Sequence, residues 1–147
     1  MRHFKSLQDI LNYAIDQEQE ANSFYQRLAQ QVTKTETQSA LKKFAMDELQ
    51  HKFRLEGIRD GQAAFINEEV GNLGIADSIG EVKPHIDMSY KELLALAIKN
   101  EQKAYTLYSK LALVAQVRSV KDLFLHLAQE EAQHKLNLEF EYDLTTF

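Results

Sequence analysis

The chain is poor in the residues that interrupt helices or cross-link a fold. It has no cysteine, one proline and five glycines among its 147 residues. Without cysteine it forms no disulfide, no iron–sulfur cluster and no other cysteine-ligated metal centre. The proline and all five glycines lie between residues 57 and 84. Because the helix-breaking residues are confined to the middle, we expect long helices on either side.

Two further absences limit the class of protein. The formal net charge is −5 and the sequence has no dense basic run, so nucleic acid and anionic membranes are not expected partners. No segment approaches the run of about 20 apolar residues that spans a membrane, and no signal-like apolar run follows the N-terminus. With 44% hydrophobic residues, the sequence predicts one cytoplasmic domain, residues 1–147, with a single core.

Apolar residues recur at helical spacing in two segments on each side of the middle, which predicts four helices. Ser6 and Ser89 each begin a pattern typical of a capping box. Thr33–Thr37 is polar and β-branched, which indicates a short turn, and a fourth helix should begin near Arg118.

Short turns make consecutive helices antiparallel, and a long connection can run the length of a bundle. The prediction is therefore an all-α four-helix bundle made of two helical hairpins joined by a long crossover. Its parts are a hairpin over 6–61, a crossover over 62–88 with a short helical turn near 65–70, and a hairpin over 89–144.

The two predicted hairpins carry one pattern twice. Glu48 and His51 form a Glu-x-x-His motif, as do Glu131 and His134, and a lone Glu stands 30 residues before each motif. The copies are offset by 83 residues, and the ungapped match extends over roughly 45 residues. The repeated set consists of Glu18, Glu48, His51, Glu101, Glu131 and His134.

The repeated acids lie on the apolar faces of the predicted helices. Glu18 is spaced at helical intervals from Ala14, Ala21 and Tyr25. Most helical Glu residues lie at the surface, and a buried carboxylate without compensating charge is unfavourable. Two divalent cations would balance four carboxylates, so the pattern predicts a dinuclear metal site. The alternative is a plain bundle on which the same motifs form surface salt bridges.

The residue types also indicate the metal. Carboxylates together with one imidazole nitrogen per metal suit iron or manganese better than calcium, which takes only oxygen ligands. Tyr25 and Tyr108 follow the lone Glu residues by two helical turns. They are either core aromatics or residues whose hydroxyls orient a ligand carboxylate. Four other side chains are interpreted as surface or incidental: His3, His85, His126 and Glu130.

The six residues and their spacing resemble the ferritin-like diiron-carboxylate superfamily, and most closely its rubrerythrin-type branch. The resemblance covers nearly the whole chain. It implies two iron ions, with manganese or zinc as other possible metals. It also implies that Glu48 and Glu131 bridge the metals. The terminal ligands implied are Glu18 with His51, and Glu101 with His134.

The chain departs from rubrerythrins in two respects. Rubrerythrins usually carry a rubredoxin-like domain with four cysteines, and this chain has none, so we expect an external electron donor such as a rubredoxin-like protein. They also tend to have carboxylates where this chain has Ala104 and His134, which leaves a symmetric donor set as in bacterioferritin-like centres. We expect no fifth, cage-building helix, because few residues follow the fourth.

The resemblance implies a redox enzyme that reduces hydrogen peroxide at a Glu4His2 diiron site. The four glutamates would act through the metals that they bind, and the hydroxyls of Tyr25 and Tyr108 would orient these glutamates. One alternative is a ferroxidase or iron-binding protein without a cage, which would react with dioxygen. Another is a redox-silent bundle that a metal stabilises. By resemblance, a homodimer is also expected.

Overall fold

The computed structural model describes residues 6–61 and 88–146, and these residues form four helices. Helix α1 spans Leu7–Gln30, α2 spans Thr35–Gly61, α3 spans Tyr90–Val114 and α4 spans Arg118–Thr146. Helices α1 and α2 form the first hairpin, and α3 and α4 form the second. The predicted helical turn near 65–70, and almost all of the predicted crossover, lie outside the described residues, as do His3 and His85.

Capping side chains begin α1 and α3 where the sequence predicts. The Ser6 hydroxyl oxygen accepts a hydrogen bond from the Asp9 backbone N–H at 3.2 Å. Ser89 and Glu92 form a complete capping box, in which each side chain accepts from the other residue's N–H at 3.2 Å. Each such cap satisfies a backbone donor that has no helical partner and contributes about 1 kcal/mol.

The turn of the first hairpin differs from the prediction. Thr33–Thr37 was expected to be the turn, but α2 already begins at Thr35. The Gln38 N–H donates to the Lys34 carbonyl at 2.9 Å, and the Gln38 side chain donates to Ala29 O of α1 at 3.2 Å. Polar and β-branched residues cost little in a first turn, because its N–H groups have no helical partner. Composition therefore does not distinguish this first turn from a loop.

A tyrosine and a phenylalanine pack together in the core of each hairpin, but with a different ring geometry in each. In the first hairpin, Phe44 packs edge-on against Tyr25, with ring centroids 5.7 Å apart. In the second, Phe124 stacks on Tyr108, with centroids 6.3 Å apart. At the offset of 83 residues, Phe44 corresponds to a leucine, Leu127, and Phe124 likewise corresponds to Leu41. The two hairpins thus carry a phenylalanine and a leucine in opposite order at two positions that lie one helical turn apart.

Polar contacts also join the two helices of each hairpin. In the first, Arg59 donates to Asn12 at 3.0 Å and Lys52 donates to Gln19 at 2.8 Å. In the second, the Tyr90 hydroxyl of α3 donates to the Glu141 carboxylate of α4 at 3.1 Å. Partial burial, followed by the charge of Glu141 and this hydrogen bond, raises the pKa of Tyr90.

The glycines of α2 are not required by close packing. The sequence predicts that Gly57 and Gly61 end this helix, but α2 continues through Gly57 and ends at Gly61. A Cβ atom added at either glycine would meet no heavy atom of the described residues within 4 Å. Among the described helices, none combines the length and the hydrophobicity needed to cross a membrane.

Candidate metal centre

Three predicted ligands come together within the first hairpin, and we call them the first half-site: Glu18, Glu48 and His51. Helix α1 supplies the lone Glu, and α2 supplies the other two residues from one face, three positions apart. All three are at most 3% exposed. The His51 Nδ1 atom lies 3.5 Å from Glu18 Oε2 and 3.6 Å from Glu48 Oε1.

The second hairpin repeats this arrangement, and its three residues form the second half-site: Glu101, Glu131 and His134. The lone Glu comes from α3 and the Glu-x-x-His pair from α4. These residues are also at most 3% exposed. The His134 Nδ1 atom lies 3.7 Å from Glu101 Oε1. One ligand atom of each of the three residues lies within 4.8 Å of the others.

The donor atoms of each half-site fit a metal ion. Two atoms that bind one first-row metal at about 2.1 Å lie about 3.0–3.5 Å from each other. The measured nitrogen-to-oxygen distances of 3.5–3.7 Å therefore need to shorten by only a few tenths of an ångström. Within one half-site, two carboxylates match the charge of one divalent cation, which offsets the cost of burying them. Because all six ligands are buried, the alternative of surface salt bridges does not hold.

The two tyrosines whose hydroxyls are predicted to orient a ligand carboxylate are core residues. Tyr25 is 2% exposed and Tyr108 is 1% exposed. Their rings pack against Phe44 and Phe124, as described above. That their hydroxyls orient a ligand carboxylate stays a prediction.

The prediction for His126 was incomplete. Glu130 lies at the surface as expected, but His126 has a partner, because its Nε2 atom lies 2.6 Å from Glu130 Oε1. At the offset of 83 residues, this pair corresponds to Lys43 and Asp47, whose charged atoms are 3.1 Å apart. The internal repeat therefore extends from the buried candidate ligands to a side-chain contact four residues apart near the surface.

Sequence reasoning missed Asn22, a buried polar residue one turn after Glu18. Asn22 is 4% exposed, and its side-chain amide donates to the Ala45 carbonyl of α2 at 2.6 Å. Its carbonyl oxygen accepts from the Gln26 side chain at 2.9 Å. The signal that could have revealed it is the position of an asparagine on the apolar stripe, four residues after a buried ligand.

The chain is similar to known proteins in sequence over one segment and in fold over nearly its whole length. Residues 92–143 match the rubrerythrin family model, and this segment contains the whole second half-site. A candidate ferritin-like diiron-carboxylate protein from Thermotoga maritima, known from a crystal structure, is similar over the whole fold. It shares 21% identity with a TM-score of 0.77, and the match covers 97% of this chain and 98% of that chain. No curated protein matches the sequence.

The structural match shows the fold. It confirms the predicted all-α architecture, a ferritin-like four-helix bundle built from two hairpins. Together with the family match in the second hairpin, it also confirms the resemblance to the ferritin-like diiron superfamily, rubrerythrin type.

Proposed function

We propose that this ferritin-like chain of rubrerythrin type joins its two half-sites into one dinuclear iron centre, which reduces hydrogen peroxide. The observation that carries the proposal is that the same buried Glu, Glu and His donors occur twice, with nearly equal spacing. Neither half-site alone has the number of ligands that two metal ions need. The fold, which is that of a candidate diiron-carboxylate protein over 97% of the chain, supports their union.

In this centre, Glu48 and Glu131 would bridge the two ions. The remaining four ligands would each bind one ion, Glu18 with His51 and Glu101 with His134. This assignment rests on the resemblance and agrees with the contact of each histidine with the lone glutamate of its own hairpin. Four carboxylates balance the charge of two divalent ions, and the imidazole nitrogens favour iron or manganese over calcium.

Two ferrous ions would supply the two electrons that peroxide reduction requires. Hydrogen peroxide takes up these electrons and two protons as its O–O bond breaks, and two water molecules result. The glutamates stabilise the higher charge of the oxidised metal, since carboxylates are anionic oxygen donors. Burial of all six side chains keeps bulk water from competing for the ligand positions. An external donor, such as a rubredoxin-like protein, would return the electrons.

The test is to load the protein anaerobically with Fe(II) and to follow the near-ultraviolet absorbance of ferric iron. Peroxide and dioxygen are added in separate experiments. We expect two irons per chain, with oxidation faster by peroxide than by dioxygen. Glu18→Ala should lose this reaction, whereas Glu20→Ala, at an exposed position of the same helix, should keep it. Oxidation by peroxide no faster than by dioxygen would refute the peroxidase proposal.

The likeness of the half-sites favours ferroxidase chemistry as a second candidate, because each has the same Glu, Glu and His donors. This candidate predicts that dioxygen oxidises repeated additions of Fe(II) and that the ferric product is released. Oxidation of bound iron by neither oxidant, with zinc stabilising the protein as well as iron does, would instead indicate a redox-silent metal site.

A further inference from the structure

The two half-sites differ in the residue that follows the lone glutamate by one helical turn. In the first hairpin this residue is Asn22, which is 4% exposed. The equivalent residue of the second hairpin, 83 positions later, is Tyr105, which is 37% exposed. One hairpin thus has a buried amide beside its ligands, and the other has an aromatic side chain at its surface.

The Asn22 amide links the two ligand-bearing helices directly. It extends from α1, four residues after Glu18, to the Ala45 carbonyl of α2, three residues before Glu48. A carbonyl oxygen has two lone pairs, so Ala45 can keep its helical hydrogen bond while it accepts from Asn22. The bond, at 2.6 Å, therefore fixes the position of one helix along the other within a turn of the metal ligands. Gln26, whose side chain donates to Asn22, in turn holds the orientation of the amide.

The equivalent position of the second hairpin cannot repeat this amide bond. The carbonyl equivalent to Ala45 belongs to Ala128, but Tyr105 has no side-chain amide and lies partly in solvent. A second bridge of the first hairpin is lost in the same way. Gln38, which donates from α2 to α1, corresponds to Lys121, an exposed residue.

We propose that Asn22 is a positioning residue that makes the metal position beside Glu18 and His51 the tighter of the two. A ligand pair whose helices are already fixed loses less conformational freedom when the metal binds. Groups that orient metal ligands typically change metal affinity by about 10–100-fold. Asn22 acts through the helix backbone rather than on a ligand directly, so we expect about tenfold. The inference rests on the proposed dinuclear centre.

The experiment compares two variants that each disable one metal position. His134→Ala retains the first half-site, and His51→Ala retains the second. Each protein is titrated with Co(II), and the visible absorbance of the bound cobalt gives the dissociation constant. We expect cobalt to bind His134→Ala about tenfold more tightly than His51→Ala. Leucine has the same branched shape as asparagine but no amide, so adding Asn22→Leu to His134→Ala should remove this difference.

A matched control separates positioning from stability. Leu11→Ala weakens the core of the same hairpin but leaves the bond between Asn22 and Ala45 in place, so the tenfold difference should remain. If Asn22→Leu fails to fold, the two histidine variants still test whether the first metal position is the tighter one, since they leave residue 22 unchanged. Equal affinities in those two variants would overturn this inference alone. Failure of the unsubstituted protein to bind cobalt at all would instead overturn the proposed function.

Discussion

The two hairpins hold the same candidate metal ligands in different protein surroundings. In both, the histidine Nδ1 atom lies within 3.5–3.7 Å of the oxygen of the lone glutamate. Both also begin with a serine cap and carry an equivalent contact between a basic and an acidic side chain near the surface. The packing aromatics and the polar bridges between helices, however, differ. Binding a metal would require particular residue types at the candidate ligand positions, whereas the surrounding core needs only sufficient volume and satisfied polar groups.

The largest expected effect tests whether the hairpins contribute equally to the metal centre. Glu48→Ala and Glu131→Ala should each reduce metal binding from two ions per chain to at most one, because each removes a proposed bridging ligand. Helical content of the metal-free variants should be unchanged, since removal of a buried carboxylate also relieves repulsion. Metal analysis and far-ultraviolet circular dichroism measure the two quantities.

Gln50→Ala and Gln133→Ala provide a matched pair of controls. Both residues are exposed on the same helices, two positions after the proposed bridging glutamates. Each control should bind two ions. If only one of the two variants Glu48→Ala and Glu131→Ala keeps both metals, the hairpins do not contribute equally to metal binding.

A smaller effect concerns the exchanged aromatic residues. Phe44→Leu should leave a cavity beside Tyr25, and Leu41→Phe should overfill the core, each at a cost of about 1–3 kcal/mol. The double variant copies the arrangement of the second hairpin and restores the volume. Its loss of stability should therefore be smaller than the sum of the two by about 1 kcal/mol or more. Urea denaturation of the metal-free proteins measures this coupling.

The reciprocal pair, Phe124→Leu with Leu127→Phe, is the control in the second hairpin. It should show a coupling of the same sign, because it makes the inverse exchange. If the losses of stability of the single substitutions simply add up in both hairpins, the two arrangements of phenylalanine and leucine cannot replace each other in the core.

The smallest expected effect is a pH dependence of stability that arises from Tyr90 of the second hairpin. The raised pKa of Tyr90 means that its neutral form is favoured in the folded state. Its contribution to stability is therefore full below the unfolded pKa of about 10 and is lost as the pH rises above that value. The equivalent position of the first hairpin is Leu7, which does not titrate. The loss due to the pair of Tyr90 and Glu141 therefore arises in the second hairpin, and it should be less than about 1 kcal/mol because the pair is partly exposed.

Thermal denaturation at pH 8 and pH 10.5 measures the effect. Tyr90→Phe should lose less stability across this interval than the unsubstituted protein does. Tyr105→Phe, at an exposed position of the same helix, is the matched control. If both variants respond to pH alike, the bond between Tyr90 and Glu141 is not the cause.

Much of the fold and of the candidate site could be predicted from the sequence. Two predicted capping patterns, at Ser6 and Ser89, mark helix starts, and both are confirmed. The candidate ligands were recognisable because an acid on an apolar stripe is unusual, and because the pattern occurs twice. Their burial, and the close approach of the three residues within each hairpin, agree with that prediction.

The parts that were missed depend on contacts between helices. A lone asparagine such as Asn22 has no motif, and its importance follows only from the carbonyl that it meets on α2. His126 and Glu130 are four residues apart, a common helical spacing that seldom indicates a stable pair by itself. The start of α2 at Thr35 was missed because its polar first turn resembles a loop in composition.

The open space at Gly57 gives this protein a site for a spectroscopic label. The chain contains no cysteine, so a single Gly57→Cys substitution would create a unique thiol on an otherwise unreactive background. A Cβ atom at this position would meet no atom of the described residues within 4 Å, and the position lies on α2 six residues after His51. A fluorophore or nitroxide attached there would report the binding of a paramagnetic metal to an otherwise native chain.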